Sequence, residues 1–220
     1  MAWSPDGNTG YLVIMGSWGA NTMWRPYVMK TTDGGTTWNQ YADYDFSNDP
    51  VLQCQVFPAN GTGLPRPWFS SYDLVVGNDG ELRIFSEIQS QSSAHPDSLL
   101  YAFIAPQSTA LYEVATNSSN GWDVTFVDSI YVEDHEWDAT NTLSHFVRPQ
   151  AGRSQDGSKL FYTWLASDVT LSIAREFPVV HSRGHEISSD MWTPVTNLSV
   201  GTNADYVSAY ATLAVDAIEN

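Results

Sequence analysis

The sequence predicts an all-β protein built from repeated four-stranded antiparallel sheets. Two turn patterns recur along the chain at matched intervals, which indicates an internal repeat. Aromatic residues are plentiful, with nine Trp, eleven Tyr and nine Phe among 220 residues, and such side chains favour strands. Helical periodicity with capping residues is scarce along the whole chain. Together these observations favour an all-β fold.

The first recurring pattern is an Asp-Gly turn followed by an apolar strand. Its aspartates are Asp6, Asp79 and Asp156, which lie at intervals of roughly 75 residues. Asp can hydrogen-bond the backbone of its own turn and Gly accepts a positive φ, so the pair is strong turn chemistry. Each turn therefore marks the same point in one repeat.

The second recurring pattern is a tryptophan that begins, or lies in, a strand after a polar turn. Trp38 follows Asp33-Gly34-Gly35, whereas Trp122 and Trp192 follow the polar residues 117–121 and 188–190. Only the first of these turns carries a complete motif. The other two are identified by their place in the repeat, and each tryptophan supplies a large apolar anchor.

A repeat of about 75 residues holds four strands and their loops, which is the size of one generous β-propeller blade. We predict about three blades, with approximate repeats at residues 1–73, 74–150 and 151–220. Three blades do not close a ring, because propellers usually have roughly four to eight. We therefore expect the chain to be part of a larger protein, with the remainder of that protein or other chains completing the propeller.

The predicted strands lie between the turn signals. They cover residues 11–17, 25–31 and 37–41 in the first repeat, residues 74–77, 82–87, 98–104, 110–115 and 122–127 in the second, and residues 160–166, 179–182 and 192–196 in the third. Residues 206–215 would enter a fourth repeat. Two long polar connections, residues 43–63 and 128–142, are expected to form functional surfaces.

The octapeptide from Thr31 to Trp38 resembles the Asp-box of sialidase-like propellers, also known as BNR-repeat proteins. That motif is Ser/Thr-x-Asp-x-Gly-x-Thr-Trp/Phe, and Thr31, Asp33, Gly35, Thr37 and Trp38 fill its fixed positions. The resemblance implies a structural hairpin between the outer strands of a blade, away from any active site. Residues 154–164 are similar to secreted bacterial propellers, which implies an extracellular or cell-surface location.

The charge of the chain excludes some classes of partner. Nine Lys and Arg stand against 25 Asp and Glu, which gives a formal net charge of −16. Such a surface repels phosphate backbones and anionic lipids, and no apolar run approaches the roughly 18 residues of a membrane-spanning helix. We expect neither nucleic-acid binding nor membrane insertion. The single cysteine, Cys54, matches no metal or redox spacing, and we expect a buried, inert thiol.

Candidate binding residues lie in two places. Trp68 and Tyr72 follow a proline-rich connection and are candidates for stacking on a sugar ring, although aromatic side chains more often pack in a core. Asp134 and Glu136 belong to the most acidic stretch, residues 133–138, which would suit Ca²⁺ but lacks the spacing of a calcium-binding loop. We expect no cofactor and no metal site. His181 and His185 lie in a strand-like context that argues against a helical metal motif.

The resemblance also defines what an enzyme would require. Sialidases of this superfamily hold a carboxylate with three arginines and use a Tyr–Glu pair as nucleophile and an Asp as acid/base. No residue here can be assigned to those roles, so the catalytic residues are unknown, and the seven arginines are expected to form surface or inter-blade salt bridges. We expect a secreted or cell-surface module that binds glycan or protein through rim loops. The alternatives are a sialidase-type glycoside hydrolase and a passive scaffold segment.

Overall fold

The chain folds into three antiparallel sheets that follow one another in sequence. The computed structural model describes residues 1–18, 21–58, 63, 65–91, 110–130, 147–167, 178–202, 213–214 and 216–217. Across these residues it contains fourteen strands and two short 3₁₀ helices. No helix within those ranges has the length and apolar character needed to cross a bilayer.

Each sheet is a four-stranded meander whose neighbouring strands are consecutive in the chain. The first sheet contains β1 (Ala2–Trp3), β2 (Gly10–Trp18), β3 (Asn21–Thr31) and β4 (Asn39–Gln40). The second contains β5 (Pro67–Val76), β6 (Leu82–Ser90), β7 (Ala110–Thr116) and β8 (Trp122–Ser129). The third contains β9 (Gln150–Ser154), β10 (Lys159–Ser167), β11 (Pro178–Glu186) and β12 (Met191–Trp192).

Two short strands extend the third sheet. Strand β13 (Thr196–Asn197) pairs with β11, and β14 (Asp216–Ala217) pairs in parallel with β9. Three successive four-stranded antiparallel sheets correspond to about three blades of an incomplete, propeller-like all-β fold, and the described residues form no closed ring. The predicted fold class is therefore confirmed.

The three Asp-Gly turns occupy equivalent positions. Each connects the first and second strands of its sheet, and the turn glycines Gly7, Gly80 and Gly157 have φ values of 72°, 75° and 73°. In each turn the amide of that glycine donates to a carbonyl three residues earlier. A side chain is strained at such φ values, so the glycine is needed in every repeat. The sequence repeat is a structural repeat.

The three tryptophans also occupy equivalent positions. Trp38 directly precedes β4, Trp122 begins β8 and Trp192 ends β12, so each lies at the fourth strand of its sheet. The turns before Trp122 and Trp192 contain Asn120 and Asp190, with φ values of 59° and 51°. Asn and Asp tolerate this left-handed backbone better than other side chains, which explains the polar composition of the two shorter turns.

Two cores lie between the sheets, and the second sheet contributes to both. Leu82 and Ile84 pack towards the first sheet, whereas Phe85 and Leu111 pack towards the third. Because alternate side chains of a strand point to opposite faces, a sheet buried on both faces needs apolar residues at nearly every position. Strand β7 is accordingly buried along its whole length.

The connection between the first two sheets contains regular structure that the sequence did not predict, and its role as a functional surface stays a prediction. Its first part contains two 3₁₀ helices, Phe46–Asn48 and Leu52–Cys54. Phe46, Leu52 and Val56 are buried in the first core, so this part of the connection closes the edge of that core. The prediction of a buried thiol was wrong, because Cys54 is exposed at the end of the second turn of helix.

Several strand boundaries also differ from the prediction. Strands β1 and β9 were not predicted, and β5 begins at Pro67 rather than at residue 74. The predicted strand at residues 98–104 lies outside the described residues, as do 206–212 and 215 of the last predicted stretch. The approximate repeat boundaries stay a prediction, although the sheet that contains Asp79 begins before residue 74.

Candidate functional site

Because each sheet is a meander, every connection between its strands lies at one of the two ends of the sheet. Connections along an antiparallel meander alternate between its ends, so the turns between first and second strands share an end with those between third and fourth strands. We call this the turn end. The opposite end, which we call the loop end, holds the strand ends that flank the longer connections: Gln40 and Pro67, Ser90 and Ala110, Ser129 and Gln150, and Ser167 and Pro178.

At the turn end, the three Asp-Gly turns surround a cavity of about 410 Å³. Asp6, Asp79 and Asp156 all line this cavity. The turns also touch directly, because the amide of Asn78 donates to the carbonyl of Gly157 at 2.9 Å. The first strands of the three sheets therefore come together on one axis, as in a propeller.

The carboxylates around this cavity are already engaged by their own turns. Asp6 accepts hydrogen bonds from Ser4 Oγ at 2.6 Å and from the amide of Asn8 at 3.0 Å. Asp156 accepts equivalent bonds from Ser154 Oγ at 2.6 Å and the amide of Ser158 at 3.0 Å. The Asp6 and Asp156 carboxylates therefore stabilise their own turns.

Asp79 differs because its carboxylate forms a bidentate pair with Arg83, with both distances 2.6 Å. Arg83 is buried, and its paired carboxylate compensates the charge. Among the residues described, no three His, Cys, Asp or Glu side chains are placed to share a metal ion.

The Asp-box octapeptide forms a closed set of hydrogen bonds in the turn between β3 and β4. Asp33 accepts from the amide of Thr37 at 2.9 Å and from its hydroxyl at 2.6 Å. Thr31 Oγ donates to Asp33 at 2.8 Å and accepts from the amide of Gly35 at 3.0 Å. Trp38 Nε1 donates to the carbonyl of Gly35 at 3.1 Å. The five motif residues thus hold one another.

The turn carboxylates predict how the protein responds to acid. Hydrogen bonds, led by those from Ser4, Thr37 and Ser154, lower the pKa of Asp6, Asp33 and Asp156 to about 2. A lowered folded-state pKa adds stability above the ordinary value near 3.8, and that stability is lost as the pH falls towards 2. We expect Asp33→Asn to lower Tm at pH 6, and the difference from the wild type to shrink towards pH 2.

Thermal unfolding followed by circular dichroism between pH 6 and pH 2 measures this effect. A difference in Tm that stays constant down to pH 2 would show that the Asp33 charge is unimportant to the hairpin.

A buried polar network lies between the second and third sheets. Glu113 on β7 accepts a short hydrogen bond from the hydroxyl of Tyr162 on β10, and it contacts His185 Nδ1 on β11 at 3.0 Å. The other ring nitrogen of His185 lies 3.0 Å from Asp190. The imidazole stacks on Trp192, with ring centroids 4.1 Å apart. The sequence had pointed to His185, to Trp192 and to the polar turn that contains Asp190, but it gave no sign that Glu113 and Tyr162 would meet them.

The Tyr162–Glu113 contact bears on the glycosidase alternative, which requires a tyrosine activated by a glutamate. Tyr162 is fully buried between Phe85 and Trp192, on which its ring stacks. Burial raises the pKa of Tyr162 well above its ordinary value, and the neighbouring Glu113 charge raises it further. The contact thus favours a neutral hydroxyl that no substrate reaches, which is the opposite of an activated nucleophile.

The arginines with resolved contacts are engaged within the protein. Arg25 pairs with Asp43, and Arg83 pairs with Asp79. Arg153 on β9 donates to the carbonyls of Trp3 and Val76, which belong to the other two sheets. Arg183 on β11 donates to the carbonyl of Val127 on β8 at 2.6 Å, across the boundary between the second and third sheets. Arg25 and Arg83 thus form local salt bridges, whereas Arg153 and Arg183 connect neighbouring sheets through carbonyls, and these four are not arranged to hold a substrate carboxylate.

The loop end carries a stacked aromatic pair. Trp24 near the start of β3 and Trp68 near the start of β5 have ring centroids 5.0 Å apart and an interplanar angle of 13°. Both rings are half-buried, and Tyr72 farther along β5 is 36% exposed. The sequence identified Trp68 and Tyr72 but not Trp24, whose place opposite Trp68 depends on how the first two sheets pack. Asp134 and Glu136 lie outside the described residues.

Comparisons with known proteins leave the family open. No family model matches the chain, and no curated protein matches it. Among solved structures it is similar to a chain of the Kuenenia stuttgartiensis hydrazine synthase, with 12% identity and a TM-score of 0.35. The match covers 90% of this chain and 58% of that one. A TM-score this low does not establish a shared fold. The propeller-like fold is shown by the three successive four-stranded sheets.

Proposed function

We propose that this chain is part of an extracellular or cell-surface propeller-like module that binds a glycan at its loop end. The observation that carries the proposal is the stacked pair Trp24 and Trp68 at that end. Aromatic faces are the usual platform for the apolar faces of sugars, since they offer large contact area at little conformational cost. The opposite end supports the choice, because its carboxylates are engaged in holding turns.

Replacement of Trp68 tests the proposed site. We expect Trp68→Ala to weaken glycan binding by tenfold or more, which corresponds to about 1.4 kcal/mol, because the sugar loses its stacking surface. A glycan array selects the ligand, and isothermal titration calorimetry gives Kd for the wild type and the variant.

The protein contains its own control, a second tryptophan pair at the turn end. The rings of Trp3 and Trp38 lie 5.8 Å apart in an edge-to-face contact. In indole NMR spectra, the glycan should shift the signals of Trp24 and Trp68 and leave those of Trp3 and Trp38 in place. Shifts at the turn end, or an unchanged Kd for the variant, would contradict the proposal.

The scaffold role is a second candidate, favoured by the outer face of the first sheet. Leu12 and Ile14 on β2 pair with Met29 and Tyr27 on β3, and they point away from the first core. Ile14 is 53% exposed. The corresponding faces of the second and third sheets are each covered by the sheet before them. We propose that this face takes a further sheet, from the rest of a longer protein or from another chain.

An exposed apolar sheet face predicts self-association of this chain in isolation. We expect Ile14→Asp to reduce concentration-dependent association in sedimentation velocity while leaving Tm nearly unchanged. Leu198→Asp is the matched control, because Leu198 is 51% exposed but lies beside β13 on the third sheet. Equal association of the wild type and Ile14→Asp would contradict the proposal that a further sheet binds this face.

A further inference from the structure

We propose that the protonation of His185 controls how firmly the second and third sheets hold together. We call the boundary between these two sheets the seam. The role proposed for His185 there is independent of glycan binding at the loop end. Its basis is the environment of one imidazole, which has a carboxylate at each ring nitrogen.

The two carboxylates require two donors. Glu113 lies 3.0 Å from Nδ1 and Asp190 lies 3.0 Å from Nε2. An ionised carboxylate only accepts hydrogen bonds, and a neutral imidazole has only one N–H. A neutral His185 would therefore turn a lone pair towards one of the carboxylates. Both contacts are satisfied together only when the ring carries two protons and a positive charge.

Three further charged or titratable side chains, on β10, β6 and β11, lie around the His185–Glu113 pair. Tyr162 on β10 donates to Glu113, and Arg83 on β6 interacts electrostatically with the same carboxylate while pairing with Asp79. Arg183, on β11 itself, lies over the Trp192 ring that stacks on His185. The Glu113 carboxylate thus has a hydroxyl donor, a guanidinium charge and the imidazole around it.

The Glu113 contact joins sheets, because Glu113 belongs to the second sheet and His185 to the third. Glu113 is only 4% exposed, so it cannot exchange its partner for water. When the imidazole loses its charge, a buried carboxylate loses an ion-pair partner, and such losses are costly. The seam should therefore weaken, while the first core remains as it was.

The direction with pH follows from the same contacts. Burial by itself lowers the pKa of His185, but the hydrogen bonds and charges of Glu113 and Asp190 outweigh burial and raise the pKa above its ordinary value of 6.5. A raised folded-state pKa gives stability that is complete below pH 6.5 and is lost as the pH rises through the folded pKa. The seam is thus firmest in mild acid and loosens in alkaline solution.

Histidine NMR titration of the whole chain tests the proposal directly. We expect His185 to titrate above pH 6.5, and Asp190→Asn to lower its pKa only slightly, because the Asp190 contact is exposed and screened by solvent. Asn tolerates the positive φ of residue 190, and the Asp190 side chain is 86% exposed, so this variant should fold. A His185 that titrates at or below pH 6.5 overturns the proposal.

Hydrogen exchange locates the effect. After correction for intrinsic rates, protection of β7, β10 and β11 amides should fall more between pH 6 and pH 9 than protection of β2 and β3 amides. His185→Gln should abolish that difference, whereas His181→Gln, four residues earlier on the same strand, should keep it. Equal loss of protection in all three sheets, or a wild-type pH response in His185→Gln, also overturns the proposal. If His185→Gln does not fold, the Asp190→Asn titration decides.

Discussion

Replacing Trp122 with alanine is expected to lower the free energy of unfolding by about 3–5 kcal/mol. The ring is only 9% exposed and makes edge contacts with Tyr41 and Phe46 at centroid distances of 5.4 and 5.6 Å. Its Nε1 donates to the carbonyl of Ala42 at 2.7 Å. The substitution would open a cavity in the first core and leave that carbonyl without its donor.

Trp38 is the matched control, because it holds the equivalent place in the first sheet but is half-buried. Trp38→Ala removes one edge contact with Trp3 and one hydrogen bond to Gly35, so we expect a loss of about 1–2 kcal/mol. Guanidinium chloride unfolding of both variants measures the difference. Equal losses would mean that place in the repeat, and not burial, sets the contribution of these tryptophans.

Arg153→Met should be the most damaging change at the axis, with an expected loss of about 2–4 kcal/mol. Its guanidinium donates to the carbonyls of Trp3 and Val76, so a single side chain connects the first strands of all three sheets. Met has a similar length and apolar stem but no donor, and the two carbonyls would lose their charged partner.

Arg153→Lys separates geometry from charge. Lysine keeps the charge and its donors, but its ammonium lies one bond short of the Nη1 atom that donates to both carbonyls, so we expect an intermediate loss of about 1–2 kcal/mol. Urea unfolding at pH 7 gives both values. If the lysine and methionine variants both unfold at the wild-type urea concentration, Arg153 does not connect the sheets in the way the geometry indicates.

Local chemistry made part of this fold predictable. Asp-Gly turns and the Thr31–Trp38 octapeptide form most of their hydrogen bonds within a few residues, so their structure depends little on distant parts of the chain. Strand β6 was also predicted, because it follows the Asp79-Gly80 turn and carries Leu82, Ile84 and Phe85 near its start.

The first strands of the sheets were harder to predict. Strand β9 has the sequence Gln-Ala-Gly-Arg-Ser and β1 has only two residues, so neither shows apolar alternation. They are strands because β10 and β2 pair with them, and Arg153 is needed at the axis for its reach to other sheets. Cys54 was misplaced for a related reason, since burial in an irregular connection depends on which side chains meet the core.

The sequence by itself determined the repeat, the turn geometry and the fold class, because those follow from contacts between residues close along the chain. Only the tertiary structure decided which polar and aromatic side chains meet across the seams: Glu113 with Tyr162 and His185, and Trp24 with Trp68. These partners are far apart in sequence and lie on different sheets. Their contacts arise from the packing of one sheet on another, and no local pattern of residues records that packing.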